Sequence, residues 1–186
     1  MSAIERLTEI GEQEQEGLTK YKAVIGSDHA YIHKGLAFTA IISTGSISAA
    51  YRIAFKTPAS AAGKYIHWRP IGITSSADYV SIKLTEGDTY TGGSDVTPIN
   101  RNRTSSTVSV MQAFKTGVTS TPAGTVIQAT GIGTAGNPTA ISGGGAAADQ
   151  ELLLKPDTVY VFTLTPAGAT SCELELFWYE EDGYHA

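Results

Sequence analysis

The chain has a single cysteine, Cys172, in 186 residues, so no disulfide can form within it. That excludes the small secreted scaffolds whose folds depend on paired cysteines. Charge is also scarce. Asp, Glu, Lys and Arg make up 17% of the residues and the net charge is −5. A chain of that balance offers no broad basic face for nucleic acid. No apolar run approaches the roughly 20 residues that a spanning helix needs. The opening MSAIERLTEIGEQEQEG is acidic and lacks the basic start and apolar centre of a signal peptide. A soluble protein made in a cytosol, with no membrane contact, is therefore expected. Helical periodicity is rare as well. Only the first residues offer it, where Ile4, Leu7 and Ile10 are spaced by threes and Ser2 and Glu5 are placed as a capping box.

What is present is glycine, 20 copies, with much Thr, Ser and Ala between short alternating runs. Leu36, Phe38, Ala40 and Ile42 alternate with smaller or polar residues, the period of a strand with one buried face. Tyr51, Ile53 and Phe55 repeat the pattern, as do Val80, Ile82 and Leu84. Tyr160, Phe162 and Leu164 alternate with Val159, Val161 and Thr163, which predicts a strand covered on both faces. Cys172, Leu174, Leu176 and Trp178 form the last buried row, and Val108 and Val110 head another strand. Segments around 64–73, 124–129 and 150–154 add more, with Pro70 marking an edge or a bulge. Eight or nine short strands between turn residues predict an all-β fold, an antiparallel sandwich or barrel. Residues 1–30 read as a polar N-terminal arm with weak helical character, and 31–186 as the β domain. Within that domain, 131–149 is a glycine-rich excursion too long for a hairpin loop.

The chemical motifs do not hold. Gly131, Gly133 and Gly136 match G-x-G-x-x-G, with Glu151 placed like a ribose-binding acid. A dinucleotide site needs a helix to begin at those glycines, and Asn137-Pro138 follows instead. Asp28, His29 and His33 could share a metal, but with Tyr31 and His33 assigned to one strand face there is no third ligand. They are read as solvated or hydrogen-bonded. His67 and His185 are distant in sequence, and the serines lack a nucleophile elbow. Glu180, Glu181 and Asp182 read as a solvated acidic end after the last strand, and Cys172 as a small buried hydrophobe. No catalytic residue, metal, cofactor or small-molecule substrate is expected.

Four segments, in order, carry a resemblance. They are Ile32-His33-Lys34-Gly35 ahead of the Phe38 strand, the stretch 98–106 (PINRNRTSS), the stretch 154–160 (LKPDTVY), and the stretch 174–180 (LELFWYE). Together they resemble a family of tailed-bacteriophage capsid decoration, or cement, proteins. The resemblance covers about residues 31–181 and implies a jelly-roll fold, a homotrimer, the major capsid protein as partner, and a place on the outer surface of the virion. It implies no enzyme activity. An alternative is a carbohydrate- or receptor-binding β domain of a phage head or tail, using its tyrosines and the glycine-rich segment 131–149. A glycan-cleaving enzyme is a distant third.

Within that frame, Asn100 and Asn102 are expected to fix a sharp loop, because asparagine tolerates left-handed backbone and bonds its own main chain. Arg101 and Arg103 then reach carboxylates or carbonyls of the same subunit or the next. Ile4, Leu7 and Ile10 are the apolar side chains of an arm expected to be mobile alone and ordered against the capsid or a sister subunit.

Overall fold

The computed structural model describes residues 27–59, 63–133, 141–143 and 151–183. Ile4, Leu7 and Ile10, most of the arm, and most of the glycine-rich segment lie outside these. Among the described residues there is one helix, α1 (Ser27–His33), and fourteen strands. The chain is an all-β, antiparallel, jelly-roll-like sandwich. One six-stranded sheet contains β1 (Ala37–Ile47), β3 (Lys64–Ser75), β7 (Ile99–Asn100), β11 (Ile141–Gly143), β12 (Leu152–Leu154) and β14 (Thr170–Asp182). The facing sheet contains β2 (Tyr51–Lys56), β4 (Val80–Glu86), β6 (Ser94–Asp95), β8 (Gln112–Lys115), β10 (Thr125–Ile132) and β13 (Val159–Pro166). From β1 to β4 each strand enters the sheet opposite its predecessor, so the connections cross the ends of the sandwich.

The core follows from alternation. Phe38, Ala40 and Ile42 of β1 lie beside Trp178, Leu176 and Leu174 of β14 in register. Ile53 and Phe55 face them from the second sheet, with Leu84, Phe162 and Leu164. Trp178 is only 1% exposed, and Phe38 stacks against it at 6.1 Å between ring centroids. Cys172 is fully buried among these residues, and burial pushes its thiol up, away from nucleophilic chemistry. The row Val159–Val161 is covered as its sequence predicts. Val161, Ala54 and Val118 form a second apolar cluster, packed with Tyr90 and Phe114. Tyr90 belongs to β5 (Thr89–Thr91), which pairs with β9 (Thr119–Thr121) as a small third sheet.

Three local assignments differ from the sequence reading. Tyr31 and His33 lie on α1, not on a strand. Gly35 ends the helix at φ +69, the Leu36 amide donates to Tyr31 O at 2.9 Å, and the Gly35 amide donates to Ile32 O at 3.0 Å. That paired closure needs a residue free to adopt left-handed backbone, so the glycine and not the aromatic alternation decides the element. The strand expected at Val108 begins at Gln112 instead, and Val108 is 79% exposed. Its stretch is held by the Glu180 side chain in place of a ladder. The acidic end is part of β14, which runs to Asp182. Pro70 sits at a bulge: Arg69 pairs with Phe177 and Gly72 with Glu175, leaving two residues of β3 opposite Leu176.

Candidate functional site

The outer face of the first sheet carries the main cluster of ionisable and aromatic side chains. Odd-numbered residues of β14 point away from the core, so Phe177, Tyr179 and Glu181 share this face. Tyr179 lies beside His67 of β3, and Phe177 beside Arg69. Glu151 immediately precedes β12, whose Leu153 is the next residue across from His67. Glu151 Oε1 accepts from the Tyr179 hydroxyl at 2.6 Å and lies 2.7 Å from His67 Nδ1. Glu151 Oε2 accepts from Arg69 Nε at 3.1 Å and is equally close to its Nη2. Tyr179 is sandwiched between His67, at 4.4 Å, and Tyr31 of α1, at 4.1 Å, both stacked. Glu181 approaches His67 Nε2 to 3.2 Å, outside hydrogen-bond geometry.

Electrostatics explains how the cluster is set. Burial pushes Glu151 up, but the Tyr179 hydroxyl, His67 and the charge of Arg69 outweigh it and hold the carboxyl below its ordinary range. Burial, followed by the adjacent Glu151 carboxylate, pushes the Tyr179 phenol far above the ordinary range. The Tyr179 proton therefore stays in place to donate. Both oxygens of Glu151 are thus engaged by neighbouring side chains. The arrangement suits a brace joining β12, β3, β14 and α1 better than a base.

The segment 98–111 is held by equally specific contacts. The buried Asn100 side chain donates to Gly35 O and Thr107 O, both at 2.9 Å, and its Oδ1 accepts from the Asn102 amide. Asn102 donates to His33 O at 3.1 Å and accepts from the Thr104 amide and hydroxyl. The bonds to main chain are those expected of asparagine, but neither Asn100 nor Asn102 adopts the left-handed backbone the sequence suggested. Arg103 donates to Asn100 O at 3.4 Å, and the Arg101 guanidinium lies 3.9 Å from the centroid of the Phe177 ring. Both arginines thus meet groups of their own chain. Gly35 admits no side chain, because a Cβ there would lie 2.3 Å from Ser105 Oγ.

Glu180 is the residue that sequence reasoning misplaced. It is 1% exposed and points inward. Its carboxylate accepts from Ser109 Oγ at 2.5 Å, the Val110 amide at 3.0 Å and Trp178 Nε1 at 3.3 Å. A carboxyl group buried this deeply stands only because several donors converge on it. The signal was available: Glu180 continues the parity of Cys172, Leu174, Leu176 and Trp178. The glycines of the dinucleotide-like motif open no helix, since Gly131 belongs to β10 and Gly133 follows it at φ +88. Gly136 lies outside the described residues.

The site is thus a set of braces on an antiparallel β-sandwich. No family model, no curated protein and no solved structure matches this chain.

Proposed function

We propose that this chain is a structural protein of a bacteriophage virion, seated on the outer surface of the capsid as a homotrimer that bridges major-capsid subunits. The observation that carries the reading is a pair of uncharged strand edges on opposite flanks of the sandwich. Among the described residues, β10 pairs only with β4. Its eight residues, TVIQATGI, include no charge and no proline, and a bulge at Ile127 is its one irregularity. It lies against β11 and β3. On the other flank β7 covers only Phe38 and Thr39 of β1. The next eight residues, AIISTGSI at 40–47, are equally free of charge and proline.

Edges of that kind are a liability in a solitary domain and a resource in an assembly. Two different edges on opposite flanks can join head to tail, and such contacts close into a ring where the rotation between copies allows it. Three copies is the number the resemblance implies. The braces support the same reading, since a cement has to transmit load without yielding. The alternative of a sugar-binding face draws less support, because Tyr179 and Tyr160 are buried and Tyr31 is stacked. Mass spectrometry of purified virions tests the proposal. The expected result is this chain at stoichiometry with the major capsid protein; its absence from the particle overturns the reading, and selective glycan-array binding would favour the alternative.

A further inference from the structure

The turn of α1 that replaces the expected strand places His29 and His33 one helical turn apart, with their Nε2 atoms 2.8 Å from each other. The rings meet edge to face at 4.4 Å between centroids and 70° between planes, and both are exposed. Residues at i and i+4 share a helix face, so the spacing and the fold together produce this convergence. We propose that His29 and His33 form a bidentate site for a borderline divalent transition ion, of the Cu²⁺ or Ni²⁺ class.

The spacing suits such an ion. An imidazole nitrogen sits about 2.0 Å from such a metal, so two nitrogens 2.8 Å apart subtend about 90° at it. That is the angle between adjacent positions of a tetragonal or octahedral ion. A tetrahedral zinc site would need the nitrogens opened to about 3.3 Å at the same bond length. Imidazole suits copper and nickel, and the affinity order of divalent ions favours copper. Among the described residues no group of three His, Cys, Asp or Glu side chains gathers to hold a metal. The pair supplies two positions and leaves the others open to exchangeable ligands such as water.

The helix that carries the pair is anchored before any ion arrives. Tyr31, between the two histidines in sequence, stacks on Tyr179, and Asn102 donates to His33 O. The helix end is closed by the Gly35 turn. The backbone of the chelate is thus already ordered on binding. In the metal-free pair one Nε2 donates its proton to the other. On coordination both rings present Nε2 lone pairs as neutral Nδ1–H tautomers, and the shared proton moves through solvent to the Nδ1 of the former donor.

The test is calorimetric titration of the full chain with NiCl₂, CuCl₂ and ZnCl₂, beside His29→Ala, His33→Ala and the control His185→Ala. The expected result is one nickel ion per chain at micromolar affinity, copper tighter and zinc weaker than nickel. Each of the two helix variants should lower nickel affinity at least tenfold, with His185→Ala unchanged and melting temperatures equal across the set. Nickel affinity unaffected by His29→Ala or His33→Ala, or no nickel binding below millimolar concentration, overturns the site and leaves a hydrogen-bonded pair. Neither result bears on capsid attachment.

Discussion

Glu180 takes hydrogen bonds from Ser109, the Val110 amide and Trp178 in a place closed to water. Removing such a carboxylate leaves several donors buried and unsatisfied, at a cost of about 1–3 kcal/mol for each orphaned group. Glu180→Ala is therefore expected to lower stability by about 3 kcal/mol or more and to release segment 105–111, as read by chemical denaturation and amide exchange. Trp178→Ala opens a core cavity and is expected to cost about 3–5 kcal/mol. A midpoint equal to the parent's would put its ring outside the core. Glu151 supplies a pH dependence. Its folded pKa is depressed from 4.5, so its stabilising effect is complete above that value and is lost as pH falls through the lower folded value. Its partial exposure keeps the effect modest. Glu151→Gln should flatten the acid limb of the melting-temperature profile; an unchanged slope below about pH 4.5 would remove Glu151 as its source. At this scale the core was legible in the sequence, because parity alone places Trp178. Glu180 was not, since three consecutive acids look solvated until parity is carried one residue further. The partners of Glu151 come from separate strands and leave no local trace.

At the scale of elements, alternation located most of the long strands because each buries one face and the period is two. Short pieces such as β5, β7 and β9 escaped notice, since two or three residues carry no period. The helix α1 was misread because Tyr31 and His33 fit two periods equally, and only Gly35 separates them. The edges follow from topology, which sequence does not disclose. A lysine on an edge strand opposes pairing without disturbing the core. Val126 of β10 is 50% exposed and Ile41 of β1 is 58% exposed. Val126→Lys and Ile41→Lys are therefore each expected to shift the protein toward monomer by at least tenfold in association constant, with melting of the isolated domain little changed. Light scattering across a concentration series checks this. Assembly unaffected by both variants would move the contact away from these edges.

At the scale of the whole molecule, the described sandwich is held together by its own core. α1 is tied to it through Tyr31, Asn102 and Gly35. Deleting residues 1–26 leaves those ties intact. The truncated chain is expected to melt like the parent yet to bind empty capsids at least tenfold more weakly. Equal capsid affinity would make the segment a passive leader, and loss of folding would make it part of the core. The central claim is an assembling capsid protein, and sedimentation velocity of the full chain at micromolar concentration, with and without empty capsids, tests it most directly. The expected result is a species three times the 19.5 kDa chain mass that co-sediments with capsids. A monomer at every concentration that stays behind when capsids pellet would contradict the account.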